Sequence, residues 1–287
     1  MGSALRGSFL ADRAGIEARH GAVLRPNHLR RGLVAGGIGL ALAIYVGGLV
    51  ALGFSPARIV AGVHRLADIV GLMVPPVPAS SAHVWTYLDA LGQTLAIAFL
   101  GTMAAAVLGV PFGFLAARNI VANRLMHFMT RRTLDALRSI DTLIWALIWI
   151  NVVGLGPFAG ALAIMSSDLF SFAKLMSEAI EAADRRAVEG VTAAGGTRLE
   201  AIRFGIVPQV LPVLASQVLY YFESNTRSAT IIGIVGAGGI GLVLSEQIRV
   251  LEWQEASFII LMVLVTVALI DAVSQRLRAA ISGRRAG

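Results

Sequence analysis

Long stretches without a charged side chain limit most strongly what this chain can fold into. From Gly32 to Ala57 there is no Asp, Glu, Lys or Arg, and the same holds over 90–117, 142–167, 204–222 and 228–245. Coiled as a helix, about 18 or more apolar residues are long enough to cross roughly 30 Å of hydrocarbon. Several such runs in one chain require a helical bundle, because lipid offers no partner to an unpaired backbone N–H or C=O. Composition agrees: 56% of the 287 residues are hydrophobic and only 14% are charged, against roughly 25% in an ordinary soluble domain. Disorder is excluded by the same figures, since disordered chains are poor in apolar residues. The predicted class is all-α, a polytopic membrane bundle of about six helices.

The chain has no cysteine, which removes disulfides, thiolate metal sites, iron–sulfur clusters and cysteine nucleophiles together. Its net charge of +7 is carried almost wholly by arginine, Lys174 being the one lysine. A basic balance can signal nucleic-acid binding, but these arginines lie between apolar runs, so the lipid bilayer is the expected surroundings and no nucleic-acid partner is expected.

Spans are predicted at about 32–54, 88–116, 133–153, 157–177, 206–230 and 255–275. Residues 55–85, broken by Pro75, Pro76 and Pro78, are predicted as a short surface helix and a loop. The turn Gly154-Leu-Gly-Pro157 separates the third span from the fourth. Those two must admit Asp135, Arg138 and Asp141 in one, and Asp168 and Lys174 in the other. The apolar run after residue 31 starts too late and is too long for a cleaved signal peptide. Six spans starting inside place 1–31, 118–132, 178–205 and the C-terminal tail on the cytoplasmic side. Those segments hold 18 of the 24 Lys and Arg, and the outer ones hold Arg58, Arg65 and Arg249. That asymmetry predicts both termini cytoplasmic. The division is then 1–31 as a cytoplasmic segment, 32–85 as the first span and an extracytoplasmic stretch, 86–280 as the core, and 281–287 as a tail.

The longest polar interruption, about 181–205, is rich in Ala and Glu and broken by Gly195-Gly196. It predicts two short helices with a turn, projecting from the ends of spans four and five. Such a hairpin suits docking of a soluble partner, and a plain solvated loop is the alternative. Glu189-Gly-Val-Thr-Ala-Ala-Gly195, followed by Ile206-Val-Pro208, resembles the "EAA" loop of ABC importer permeases, with Gly190 and Val191 in place of the two alanines. The literal Glu181-Ala-Ala183 lacks a glycine and proline at matching distances. Tyr220-Tyr-Phe-Glu223-Ser-Asn225-Thr-Arg227-Ser-Ala-Thr and Val235-Gly-Ala-Gly-Gly-Ile-Gly241 narrow the resemblance to the phosphonate ABC transporter permease family. Ala117-Arg-Asn119, Trp145-Ala-Leu, Gly154-Leu-Gly-Pro-Phe-Ala-Gly160 and Asp271-Ala-Val-Ser274 are also similar to it. Asp141 departs from the pattern, which has Pro there.

The resemblance implies a bacterial inner-membrane, multi-pass half-transporter that is not itself an enzyme. A second permease copy would complete the pathway, an ABC ATPase dimer would dock below, and an extracytoplasmic binding protein would deliver an anionic small-molecule substrate. ATP and Mg would belong to the ATPase, and this chain would hold no cofactor and no metal. Coupling would run through Glu189, Gly195, Leu199 and Pro208. Phosphonate is the implied cargo; phosphate or phosphite, or a scaffold role, are the alternatives.

In span five, Glu223 and Arg227 lie four apart on one helical face, with Asn225 on the opposite side. Charge within a span is costly and marks either a wet pathway or a structural pair. In the first reading Arg227, with Asn225, passes an anion; in the second, Glu223 and Arg227 neutralise each other. Gly236-Ala-Gly238-Gly239-Ile-Gly241 fits a GxGxxG pattern, but a dinucleotide site needs a βαβ unit. A bent, close-packed gate loop at Gly236, Gly238, Gly239 and Gly241 is predicted instead. There is no Gly-Lys-Ser/Thr phosphate loop, and the five histidines are scattered. Trp145 and Trp149 suit an interfacial belt or helix packing equally.

Overall fold

The computed structural model describes residues 28–121 and 123–283. The predicted N-terminal segment before residue 28 and the tail beyond 283 lie outside the described residues. Among the described residues the ordered structure is helical, with no strand.

The chain divides at Ala67–Asp68. The first unit holds α1 (His28–Ala51) and most of α2 (Pro56–Leu72). A turn at Gly53, whose carbonyl accepts from Arg58 Nη1 at 3.2 Å, joins them. The apolar side chains of α1, among them Leu33, Ile38 and Leu42, are exposed, as on a helix solvated by lipid tails.

The second unit is built on α3 (Ser81–Ala116) and α6 (Pro157–Glu181). A Cβ added at Gly101 would stand 2.7 Å from Ile164 Cβ, one at Gly109 2.9 Å from Phe172 Cβ, and one at Gly113 2.5 Å from Met176 Cβ. Small residues therefore let the two backbones touch along their length. Contacts that advance together along both helices mean the helices run parallel. The first turns of α3 extend past the start of α6, where Tyr87, Ala90 and Leu91 pack with Ile240 and Ile259.

The return path between them is not the straight span predicted over 133–153. It is α4 (Arg124–Leu137) and α5 (Thr142–Val153), bent by 87°. The cause is polar: Asp141 leaves the helix to cap α5, accepting from Leu143 N–H at 2.8 Å, and Ser139 Oγ turns back on Ala136 O at 2.6 Å. A capping Asp of this kind ends the preceding helix and starts a new one. Five helices are long and apolar enough to cross a membrane, or six if this bent pair is one span. Lys174 and Asp135 bond to each other across α6 and α4, which accounts for two of the charges expected inside spans three and four.

α7 (Arg185–Ala193) follows. A single helical turn, Arg198–Glu200, runs through a π-helical stretch, Ala201–Ile206, directly into α8 (Val207–Ile232). The second arm of the predicted hairpin is thus an extension of span five, where a separate short helix was predicted. Pro208 explains the wider turns: it lacks an N–H and its ring would collide with a carbonyl four residues back, and a π step relieves both. A second π-helical stretch, Gly233–Ala237, α9 (Ile240–Arg249) and α10 (Trp253–Gly283) complete the chain. The segment before α3 is fixed to α10 by Glu255, which accepts from Ala79 N–H at 3.0 Å and bonds His83 and Tyr87.

Candidate functional site

Three groups of side chains carry the sequence expectations, and the bundle keeps them apart. The first is the hairpin. Asp184 caps α7 by accepting from Arg186 N–H at 2.9 Å. The chain reverses at Gly195, whose φ of +85° is a left-handed conformation that favours glycine. Thr197 and Glu200 form a capping box that starts the second arm. Gly195 makes the turn without a close approach: a Cβ there would meet no atom within 4 Å. The close approach is made by Gly196, the other half of the predicted break, and by Gly205, which the sequence did not single out. A Cβ at Gly196 would stand 2.7 Å from Val191, and one at Gly205 3.0 Å from the Val188 backbone. A glycine seventeen residues beyond the valine it packs on is not a pattern that spacing alone reveals. Glu189, Leu199 and Pro208 are exposed, Leu199 at 78% and neighbouring Phe204 at 59%. The hairpin is a capped, packed element that presents apolar side chains outward, unlike a solvated loop.

The second group lies in α8. Glu223 and Arg227 do face each other, Arg227 Nη2 standing 3.5 Å from Glu223 Oε1. The stronger partner of Glu223 was missed in the sequence: Arg278 of α10 places both terminal nitrogens 3.2 Å from Glu223 Oε2. Fifty-five residues separate the pair, and only the fold brings them together. Glu223 is buried, whereas 53% of the Arg227 side chain is exposed. Arg227 therefore shares a carboxylate already held by another guanidinium and keeps an open face. Asn225 parts company with it. Its amide is buried and donates to Thr102 at 2.8 Å and to Asp168 at 2.5 Å. As its place on the opposite side of the helix implies, Asn225 ties α8 to α3 and α6 inside the chain. It also accounts for Asp168, whose buried carboxylate needs such a donor.

The third group is the glycine loop. Gly236, Gly238 and Gly239 have φ of +104°, +81° and +74°. A Cβ at Gly238 would stand 2.8 Å from Pro157 N, and one at Gly241 would overlap Thr230 O. Gly236 O accepts from Gly156 N–H at 3.0 Å, and Ile240 N–H donates to Thr94 Oγ1 at 2.8 Å. The loop is thus wedged between α3, α8 and the α5–α6 turn. Helix precedes it, so the GxGxxG match has no strand to rest on and is not a dinucleotide site. Overpacking here costs about 1–3 kcal/mol, and Gly241→Val is expected to lower the thermal midpoint of the detergent-extracted protein. An unchanged midpoint would contradict the close packing.

Trp149 donates to Ser166 Oγ at 2.9 Å, and with Trp145 it packs on the core around Ile97, Ala146 and Ile164. Helix packing is therefore their role. Among the described residues no group of His, Asp and Glu could hold a metal ion. Glu181 of the decoy Glu-Ala-Ala ends α6 and accepts from Arg118 N–H and Arg131.

Comparison with known proteins fits this arrangement. The profile described as "Binding-protein-dependent transport system inner membrane component" matches residues 109–287. The putative phosphite transport system permease protein HtxC of Stutzerimonas stutzeri is 37% identical over 218 residues, 76% of each chain. The phosphate-import permease protein PhnE of Mycolicibacterium smegmatis is 33% identical over 256 residues, 88% of this chain and 48% of its own length. A putative cryptic phosphonate transport system permease protein, PhnE2 of Escherichia coli, is 52% identical over 105 residues, 37% of this chain and 86% of its own. Among solved structures, an inward-facing MetNI methionine ABC transporter chain superposes with a TM-score of 0.63 at 21% identity, covering 70% of this chain and 99% of that one. Fold, apolar spans and sequence agree, and the chain belongs to the family of inner-membrane components of binding-protein-dependent transport systems.

Proposed function

We propose that this permease forms, with a second copy of itself, the inner-membrane pathway of an ATP-driven importer for phosphonate or a related phosphorus oxyanion. The observation that carries the reading is Arg227. It stands beside Glu223 in α8, its side chain is half exposed, and Arg278 makes the closer contacts to that carboxylate. A guanidinium offers a tetrahedral oxyanion paired N–H donors, and at membrane depth its charge lowers the barrier to an anion. Relatives named for phosphite, phosphate and phosphonate transport support that class of cargo. The glycine loop at Gly236–Gly241 serves as the gate, since its wedged position lets small shifts of α3 or α8 open or close it.

The hairpin of α7 and the arm from Arg198 onward is the coupling element to a separate ATPase that binds ATP and Mg. Because the second arm is continuous with α8, a push on Leu199 or Glu189 tilts the helix that carries Arg227. The domain division is a core from about residue 86 onward, with the first span and its following segment appended. The distribution of the basic segments supports cytoplasmic termini.

Copurification of the membrane-extracted chain tests the assembly. An associated ATPase and an extracytoplasmic binding protein are expected, and a chain that repeatedly purifies without an ATPase would contradict the reading. Topology is tested on a background free of native cysteine. Ser3→Cys and Gly283→Cys are expected to resist an impermeant thiol reagent added outside intact cells; labelling of either would overturn the cytoplasmic termini.

A further inference from the structure

At the hairpin end of the bundle, a recess of about 620 Å³ is lined by Arg118, Val121, Arg124, His127 and Phe128. Neither the transport pathway nor the hairpin uses these side chains. The wall is built to stay in place. Arg118 N–H donates to Glu181 at 3.0 Å, Asn119 Nδ2 donates to Ile180 O at 2.9 Å, and Arg198 bonds Ile120 O. Two elements, the end of α6 and the second hairpin arm, thus pin the stretch 118–120. On the other side Asn123 caps α4, accepting from Leu125 N–H at 3.0 Å and Met126 N–H at 3.3 Å. Arg124 therefore sits on the first turn of a fixed helix.

Among the described residues the two arginines of the recess have no carboxylate partner. The neighbouring Glu181 carboxylate is engaged by Arg118 N–H and by Arg131, whose Nη1 is 3.1 Å away. Glu178 is also near Arg131, at 3.7 Å. Among the described residues neither the Arg118 nor the Arg124 guanidinium has a carboxylate within 4.0 Å. His127 Nε2 is buried without a hydrogen-bond partner, 3.9 Å from Glu181. Two free guanidiniums and an imidazole around one hollow suit an anion with several oxygens, and a phosphate group most of all.

We propose that this recess binds a phosphate group, and that its occupancy braces the 118–128 segment against the base of the coupling hairpin through the Arg198–Ile120 contact. The phosphate has two possible sources. Exposed Leu125, Met126 and Met129 on α4 would lie at the membrane interface and bring phospholipid headgroups to the site. Free phosphate would reach it from the aqueous side. The proposal stands apart from the cargo reading, because it involves neither Arg227 nor the glycine loop.

The full-length chain is reconstituted in phosphatidylcholine nanodiscs, as wild type and as Arg118→Gln/Arg124→Gln. Equilibrium dialysis against radiolabelled inorganic phosphate reads the free source. Native mass spectrometry after adding phosphatidylglycerol to the nanodiscs reads the lipid source. At least one probe is expected to bind the wild type, with affinity or retention falling at least tenfold in the double variant. Binding of inorganic phosphate alone assigns the free source, and retention of phosphatidylglycerol alone assigns the lipid. Equal behaviour of wild type and variant toward both probes would overturn the site. Both arginines are exposed, so the variant is expected to fold. Arg124→Gln alone gives the same comparison with a smaller change, and at least a threefold loss is expected. Arg227→Gln is expected to leave this arginine-dependent component unchanged, which separates failure here from failure of the cargo reading.

Discussion

Arg227→Gln is expected to reduce ATP-driven oxyanion uptake at least tenfold while leaving the assembly with the ATPase intact. Tenfold corresponds to about 1.4 kcal/mol, a modest demand on a guanidinium near an anion in surroundings poorer than water at screening charge. The alternative is that Arg227 only neutralises Glu223. Under that alternative the variant should do little harm, because Arg278 still holds the carboxylate with two contacts at 3.2 Å. A large loss in the single variant thus points to the open face of Arg227. The double variant Glu223→Gln/Arg227→Gln sharpens the comparison. If Arg227 serves only Glu223, the single variant already transports normally; if Arg227 meets the anion, uptake is low in both variants. Recovery of the double variant to near the wild-type rate would count against the pathway role.

Gly195→Leu is expected to separate the permease from its ATPase, with uptake falling at least tenfold and membrane insertion unchanged. The φ of +85° at this turn costs a branched or bulky residue about 1–2 kcal/mol, and the strain is relieved only by moving one arm of the hairpin. No atom stands within 4 Å of a Cβ at this position, so the effect begins at the turn. Gly195→Asn is the control, because Asn tolerates left-handed conformations better than other residues. It is expected to keep most of the ATPase association. If Gly195→Leu copurified with normal amounts of ATPase and transported normally, the hairpin would not be the coupling element.

Apolar runs and punctuation made the bundle legible before any coordinate. Pro157 and the two glycines before it end one helix and begin the next as predicted, and Gly238 and Gly239 turn the chain as their spacing implied. Charges within spans were harder to read. Asp141 looked like a charge buried in a straight span and is instead a helix cap, a role set by one local hydrogen bond. Asp168 and Asn225 are far apart in sequence and satisfy each other only because α6 and α8 pack on α3. Arg278 was invisible for the same reason: near the chain's end it reads as one more basic residue that sets orientation. The hairpin's continuity with α8 was hidden by Pro208, which in a sequence signals a boundary and here sits after a π-helical step.

The most direct test is transport by the complete assembly, with binding protein, ATPase and permease in proteoliposomes, supplied with radiolabelled methylphosphonate, phosphite or phosphate. ATP-dependent accumulation of at least one of these is expected, with competition by the other phosphorus oxyanions and none by methionine. Accumulation of methionine, or of no phosphorus oxyanion by an assembly that hydrolyses ATP in response to its binding protein, would contradict the account.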